Sequence, residues 1–420
     1  MVISHGLMLF LHNKVSRMDF NLTVEQKQAQ KLAREFAKKE VAPIIKEADR
    51  NQEMPDFILP RLGELGLLGV CIPVKYGGQG MDYITLGVVC EELDYVDISL
   101  RTALSVHLAL NSMGLLQWGT EEQKQCFLAP QARGQKYGMF ALTEPGAGSD
   151  VANMRSTARR EGDEYVINGE KTWISLATQA HHALWFAKTN PEAGSRGITA
   201  FIIKTDHHGV TTAEIHGKLG SRAGSTGWVN CQNVRVPLVH RIGEEGEGFK
   251  IAMSCLDNGR YTVGSGCVGT VRALLDTCVK YTRERSAFGA EIGKLQLIQQ
   301  KIAHMTRNYE IGRLMYLKVG WMKNHGLRNT RETSQLKWFA SEAALNSANE
   351  AIQIHGAYGY SDEYNVERHM RNARATTIYE GTSEVHQLMQ AEYALGYRKD
   401  RKLRRELPPY KQKEWQDTQE

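Results

Sequence analysis

The chain has 420 residues, 42% of them hydrophobic and 24% charged, with a net charge of +5. That length can bury a core for roughly two or three domains, and the ordinary composition argues against a disordered or fibrous chain. The positive surplus is small and much of it sits in 398-RKDRKLRR-405, which argues against a nucleic-acid footprint over the whole body and reads as a solvated basic tail or a weak anionic docking site. Seven scattered cysteines without a C-x-x-C spacing do not form a disulfide framework or a zinc site, so no metal is expected. No apolar run approaches the length of a membrane span. Residues 1–17, which contain no acidic side chain and precede a second methionine at Met18, read as an extended start, with a matrix-type transit segment as the alternative. The expected compartment is accordingly the cytoplasm, or in the second case the mitochondrial matrix.

From 23-TVEQKQAQKLAREFAKKEVAPIIKEA-48 onward, apolar residues recur at helical spacing, and Thr23 with Gln26 forms a capping box. The same device recurs at 120-TEEQ-123. Helical patterns at 56–66 and 81–117 flank the loop 76-YGGQGMD-82, so residues 18–136 read as a helical domain. Short alternating runs follow, from 137-YGMFALT-143 to 227-GWVNCQNVRVP-237, and predict a small antiparallel barrel or sandwich over 137–246. Within them Asn168-Gly169 predicts a hairpin turn. Helical periodicity returns over 247–397, in long segments that fit a four-helix-bundle-like domain, and residues 398–420 form the tail. The α+β order is thus helices, strands, helices, without βαβ alternation.

Two patterns invite misreading. The segment 264-GSGCVG-269 matches a dinucleotide-binding fingerprint, yet a helical period rather than a strand precedes it, so close helix packing is the expectation. The pairs His181-His182 and His207-His208 cannot chelate one ion from a strand, where neighbouring side chains face opposite ways.

The loop 142-LTEPGAGSD-150 follows a strand and combines Pro145 and two glycines with the hydroxyls of Thr143 and Ser149. Such a loop bends sharply and offers backbone N–H groups to a large planar or phosphorylated ligand. With 168-NGEKTWIS-175, 285-RSAFG-289, 353-QIHGAYGY-360 and 378-IYEGTSE-384, it resembles the signature set of the acyl-CoA dehydrogenase family. The five motifs stand in the same order over nearly the whole of 18–397.

The resemblance implies FAD held between the middle and C-terminal domains. The matching positions around the flavin ring are Phe140, Leu142, Thr143, Trp173 and Ser175, with Gly148 and Ser149 as further cofactor-binding positions. It implies further contacts from Arg285, Phe288, Gln296, Gln353 and Gly356 across a subunit boundary, with Thr382 and Glu384 near the other end. A homo-oligomer, usually a dimer of dimers, is therefore expected. Ala357 stands where the family has a second glycine. Glu380 matches the catalytic base, which removes the α-proton while a hydride leaves Cβ for the flavin, giving the trans-2-enoyl thioester. A second lineage carries its base where Gly259 stands here, leaving Glu380 without a rival. Asp257, Arg260, Ser149, Tyr379 and Gly381 match positions along the acyl-CoA channel. The family passes its electrons to a separate electron-transferring flavoprotein.

For the acyl group two expectations stand. The first is a short- or branched-chain acyl-CoA. The second is glutaryl-CoA, oxidised with possible decarboxylation to crotonyl-CoA, because Arg101 in 99-SLRTALSV-106 stands where glutaryl-CoA dehydrogenases carry an arginine for the distal carboxylate. Arg101 could instead pair with Asp94 or Asp97 at a helix end. A flavin-carrying nucleic-acid-binding relative, served by the basic tail, is the reading from another class.

Overall fold

The computed structural model describes residues 20–410; residues 1–17 and the end of the tail, 411–420, lie outside them. Helices come first: α1 (Val24–Glu35), α2 (Ile45–Asn51), α3 (Ile58–Glu64), α4 (Tyr83–Asp94), α5 (Ile98–Leu104), α6 (Met113–Trp118), α7 (Glu121–Gln123) and α8 (Ala129–Ala132). Both predicted capping boxes form, Thr23 with Gln26 and Thr120 with Gln123. Wider π turns over Ser105–Ser112 join α5 to α6 as one buried rod.

The strands are β1 (Gly138–Ala141), β2 (Thr157–Glu161), β3 (Glu164–Ser175), β4 (His182–Lys188), β5 (Ile198–Lys204), β6 (Val210–Glu214), β7 (Thr226–Pro237) and β8 (Arg241–Ile242). They form one sheet in the order β6-β7-β3-β2-β4-β5-β8, with β1 added on β4. Most pairs are antiparallel, whereas β1 and β2 run parallel to β4. The Asn168-Gly169 dipeptide is not a hairpin turn. It lies inside β3, at a register shift against β7, and the β2–β3 turn falls instead between Glu161 and Glu164. Gly169 is needed there for clearance, since a Cβ would come within 2.1 Å of Ser156 Oγ.

The third block consists of α9 (Gly248–Glu284), a short hairpin β9 (Ser286–Ala287) and β10 (Ala290–Glu291), then α10 (Gln296–Asn324), α11 (Thr330–His355), α12 (Val366–Thr376) and α13 (Ser383–Ala394). Helix α9 packs against α4, α10, α11 and the π turns, and it is buried without a break from Asp257 to Val271. Its small residues allow this approach. A Cβ on Gly264 would meet Leu336, one on Gly266 the Asp94 carboxylate, and one on Gly269 the Glu91 carbonyl oxygen at 1.9 Å. The glycine-rich segment is therefore a helix crossing.

The tail corrects another expectation. Residues 398–402 are exposed as expected, but over 403–410 the tail folds back on the helices. Arg405 donates to the carbonyl oxygens of Trp118 and Gly119, Arg404 pairs with Glu247, and the Tyr83 hydroxyl donates to the Pro408 carbonyl.

Candidate active site

Glu380 lies between α12 and α13 with a left-handed backbone, φ 53°, followed by Gly381 at φ 99°. Two buried cations hold this turn. Arg260 Nε on α9 donates to the Glu380 carbonyl at 3.0 Å, and Lys337 Nζ on α11 donates to the Gly381 carbonyl at 2.6 Å. The residue is half-buried overall, but Oε2 is sealed from water and has no hydrogen-bond partner. A Cβ on Gly259 would stand 2.2 Å from that oxygen and 2.6 Å from Leu110 Cδ2. The carboxyl thus fills the space that glycine leaves in α9.

Burial pushes the Glu380 carboxyl up to about 7, against the opposing pull of Arg101, Arg260 and Lys337. Desolvation favours the neutral acid and the three cations favour the anion. Burial also pulls the Lys337 ammonium down to about 8. His386 on α13, neutral because burial lowers it to about 3, packs beside Gly381 and is held through Nδ1 by the Ser334 hydroxyl at 2.9 Å.

Arg101, 1% exposed, is engaged inside the protein. Its Nε donates to Asp94 Oδ2 at 3.2 Å and an Nη to the Tyr379 hydroxyl at 2.8 Å. Burial raises the Asp94 carboxyl to about 7 despite the neighbouring arginine. Asp257 accepts from the Thr330 hydroxyl at 2.6 Å and from Arg260 at 3.4 Å. The structure accordingly brings Arg101, Tyr379, Glu380, Gly381, Arg260 and Asp257 into one cluster.

A second group surrounds the loop after β1. Lys171 Nζ, fully buried, donates to the Leu142 carbonyl and to Glu144, whose carboxylate also accepts from the Arg155 and Ser156 N–H groups. The Thr172 N–H donates to the Thr143 carbonyl. Phe140 and Leu142 are buried, Thr143 and Ser175 half-buried, Gly148 and Ser149 exposed. Trp173 sits at the second register shift of β3 with φ 61° and is 60% exposed. A bulge re-aims a side chain, and an indole left uncovered on a strained backbone beside an open glycine loop fits a flat aromatic ligand. Nothing lies within 4 Å of a Cβ on Gly146 or Gly148.

The third group is exposed. Arg285 precedes the β9–β10 hairpin and Phe288 lies in its turn, Gln296 opens α10, and Gln353 and Gly356 end α11. The Tyr281–His355 ring stack, with centroids 4.2 Å apart, ties the ends of α9 and α11 together. Phe288 is 94% exposed at φ 52°. Thr382 caps α13 by accepting from the Val385 N–H, and Glu384 stands exposed in its first turn.

Sequence reasoning missed Lys337, His386 and Leu110. Lys337 carried a signal, because it interrupts the buried stripe Thr333, Leu336, Ala340, Ala344 of α11, and a charge on an apolar stripe calls for a partner. Among the described residues, no group of three or more His, Cys, Asp or Glu is placed to hold a metal ion, and no helix is long and apolar enough to cross a membrane.

Family models describing the N-terminal, middle and C-terminal domains of acyl-CoA dehydrogenases match residues 23–135, 139–234 and 246–395. A probable acyl-CoA dehydrogenase of Bacillus subtilis is 40% identical over 379 residues, covering 90% of this chain and 100% of its own. The butyryl-CoA dehydrogenase structure from Megasphaera elsdenii is 38% identical with a TM-score of 0.88, covering 90% of this chain and 100% of its own. A glutaryl-CoA dehydrogenase in complex with glutaryl-CoA has the same identity and TM-score, covering 91% and 98%.

Proposed function

The chain belongs to the acyl-CoA dehydrogenase family, FAD-dependent oxidoreductases acting on the CH–CH bond of acyl-CoA thioesters, and we propose that in it Glu380 removes the α-proton of a short, uncharged acyl group. The observation that carries this reading is the sealed, unpartnered Oε2 of a carboxyl raised to about 7. An ordinary carboxylate is too weak a base for a carbon acid, and burial narrows that gap. Arg101, Arg260 and Lys337 keep the anion attainable near neutral pH. The Glu380 N–H is the proposed donor to the thioester oxygen, where charge grows as the proton leaves. When bound, FAD supplies the acceptor for the β-hydride. Phe140, Leu142, Thr143, Trp173 and Ser175 would hold its ring, with Gly148 and Ser149 as further cofactor contacts. Asp257, Ser149 and Arg260 line the path of the carrier, with Tyr379 and Gly381 beside the thioester.

The exposed set Arg285, Phe288, Gln296, Gln353 and Gly356, with Thr382 and Glu384, would hold the adenosine half across a subunit boundary. An apolar ring as exposed as that of Phe288 calls for a cover, which supports a homo-oligomer, taken here as a tetramer. Equilibrium sedimentation of Phe288→Ser tests this: a smaller assembly that sheds flavin is expected, and a flavin-replete tetramer would refute the shared site. The proposed electron acceptor is an electron-transferring flavoprotein, and the proposed compartment the cytoplasm.

A neutral acyl group follows from Arg101. A buried arginine needs a carboxylate partner, and Asp94 already provides one. The second reading, glutaryl-CoA, draws on the same cluster. Asp94, raised to about 7, is partly protonated near neutral pH and could yield Arg101 to a distal carboxylate. Anaerobic bleaching of the flavin by a thioester panel separates the two. Butyryl-CoA is expected to reduce the enzyme; reduction by glutaryl-CoA alone would overturn the first reading.

A further inference from the structure

The turn that carries Glu380 is an improbable one for its sequence. Glutamate rarely adopts a left-handed backbone, and a residue kept there must be over-determined by its surroundings. Helix α12 has ended at Thr376 and α13 begins only at Ser383, so the backbone N–H groups of neither helix bond the carbonyls of Glu380 and Gly381. Side chains supply the donors: Arg260 for the first and Lys337 for the second.

Lys337 is the more telling of the two. Its side chain is fully buried in α11, yet no described carboxylate lies within ion-pairing range of its Nζ. Burying an ammonium in this way is costly. Its hydrogen bond goes to the Gly381 carbonyl at 2.6 Å, one peptide away from the base. Resting on the assignment of Glu380 as that base, we propose that Lys337 is a positioning residue, which pins the Gly381 carbonyl and, with Arg260 on the preceding one, fixes the turn from which the Glu380 carboxyl reaches Gly259.

Two consequences are separable, geometry and charge. The hydrogen bond holds the turn, and the positive charge favours the anionic form of Glu380. The other charged or titratable groups around the carboxyl are Arg260 and Asp257 from α9, Arg101 from α5 with Asp94 behind it on α4, Tyr379 in the turn itself, and the neutral His386 from α13. After burial, the Cys267 thiol on α9 is the strongest influence on Lys337, ahead of Glu380 itself.

Three substitutions divide the roles. Lys337→Arg keeps donor and charge, Lys337→Gln keeps a donor without charge, and Lys337→Met removes both. The FAD-loaded enzyme would be followed by anaerobic flavin reduction with butyryl-CoA across pH. In Lys337→Met the reduction rate should fall about 10- to 100-fold with KM within about threefold. Its acid limb should move up by about half a unit to one unit, since removing a cation raises the pKa of a carboxyl nearby. Lys337→Gln should show the shifted limb with most of the rate, and Lys337→Arg should restore both. Should Lys337→Met fail to retain flavin, Lys337→Gln against Lys337→Arg carries the test alone. An acid limb unmoved in Lys337→Gln, or a rate in Lys337→Met within twofold of the parent, would overturn the positioning role while leaving the dehydrogenase reading intact. A parent enzyme that no acyl-CoA reduces would overturn that reading and the role together.

Discussion

At the scale of single residues, the proposed chemistry rests on a carboxyl that the fold makes both basic and uncomfortable. In Glu380→Gln the isosteric amide keeps the packing but cannot take a proton. We expect FAD to stay bound and the rate of flavin reduction to fall by about 10²- to 10⁴-fold, the usual share of a general base; substantial residual turnover would refute the assignment. The same substitution has a signed effect on stability. Burial holds the carboxyl at about 7 in the fold, against 4.5 for an ordinary glutamate. Between these values the native state retains a proton that the unfolded state has released, so the group's contribution to stability falls as pH rises through this window. Glu380→Gln should therefore be more stable than the parent at pH 8, by roughly 3 kcal/mol at most. The two should converge toward pH 4.5, as denaturant titrations at the two pH values would show. Glu380 stood out in the sequence as the candidate base, from the motif around it. Its environment did not, because Arg260 and Lys337 reach the turn from 120 and 44 residues away. The state of Arg101 was likewise open until the fold placed the Tyr379 hydroxyl beside it, 278 residues along the chain.

Among the elements, α9 shows how a pattern can mean packing rather than binding. Its missing preceding strand was enough to reject a dinucleotide site, but the partners of each glycine belong to tertiary structure. At Gly269 the obstacle to a side chain is backbone, the Glu91 carbonyl of α4, at 1.9 Å from a Cβ. A backbone cannot swing aside as a side chain does, so α4 and α9 would have to separate. Gly269→Ala is expected to cost about 1–3 kcal/mol and to lower the melting temperature by several degrees; an unchanged melting temperature would mean that the crossing is looser than these distances imply. Strand β3 offers the converse lesson. Asn-Gly is a sound turn signal locally, yet pairing with β7 along nearly the whole of β3 outweighs it, and the dipeptide sits at a register shift whose extra residue lies on β7. The second irregularity of β3, at Trp173, had no signal in residue type, since it arises from register against β7.

For the whole molecule, the order of helices, strands and helices was readable because hydrophobic period changes from helical to alternating and back. The tail was misread because its composition is that of a solvated peptide, while its role depends on what it meets. Arg405 donates to the Trp118 and Gly119 carbonyls at 2.8 and 2.7 Å, capping the end of α6 as basic side chains do at helix C-termini. The Gln117 amide answers by donating to the Arg405 carbonyl, Tyr83 binds the Pro408 carbonyl, and the Tyr410 N–H donates to the Asn324 carbonyl. Leu403, Leu407 and Tyr410 add apolar contact with the core. Because α6 also anchors Trp118 to Ser254 on α9, the tail clasps the N-terminal helices to the C-terminal ones. Deleting 398–420 should lower the melting temperature by about 2–4 °C, the shift expected in a large chain for each kcal/mol lost. Arg405→Ala should reproduce part of it, because the two carbonyls at the end of α6 lose a charged donor. A freely solvated tail predicts no change in either variant. A nucleic-acid-binding tail predicts instead that deletion abolishes salt-dependent DNA retention and leaves the melting temperature alone, so the two measurements together decide between a clasp and a docking arm.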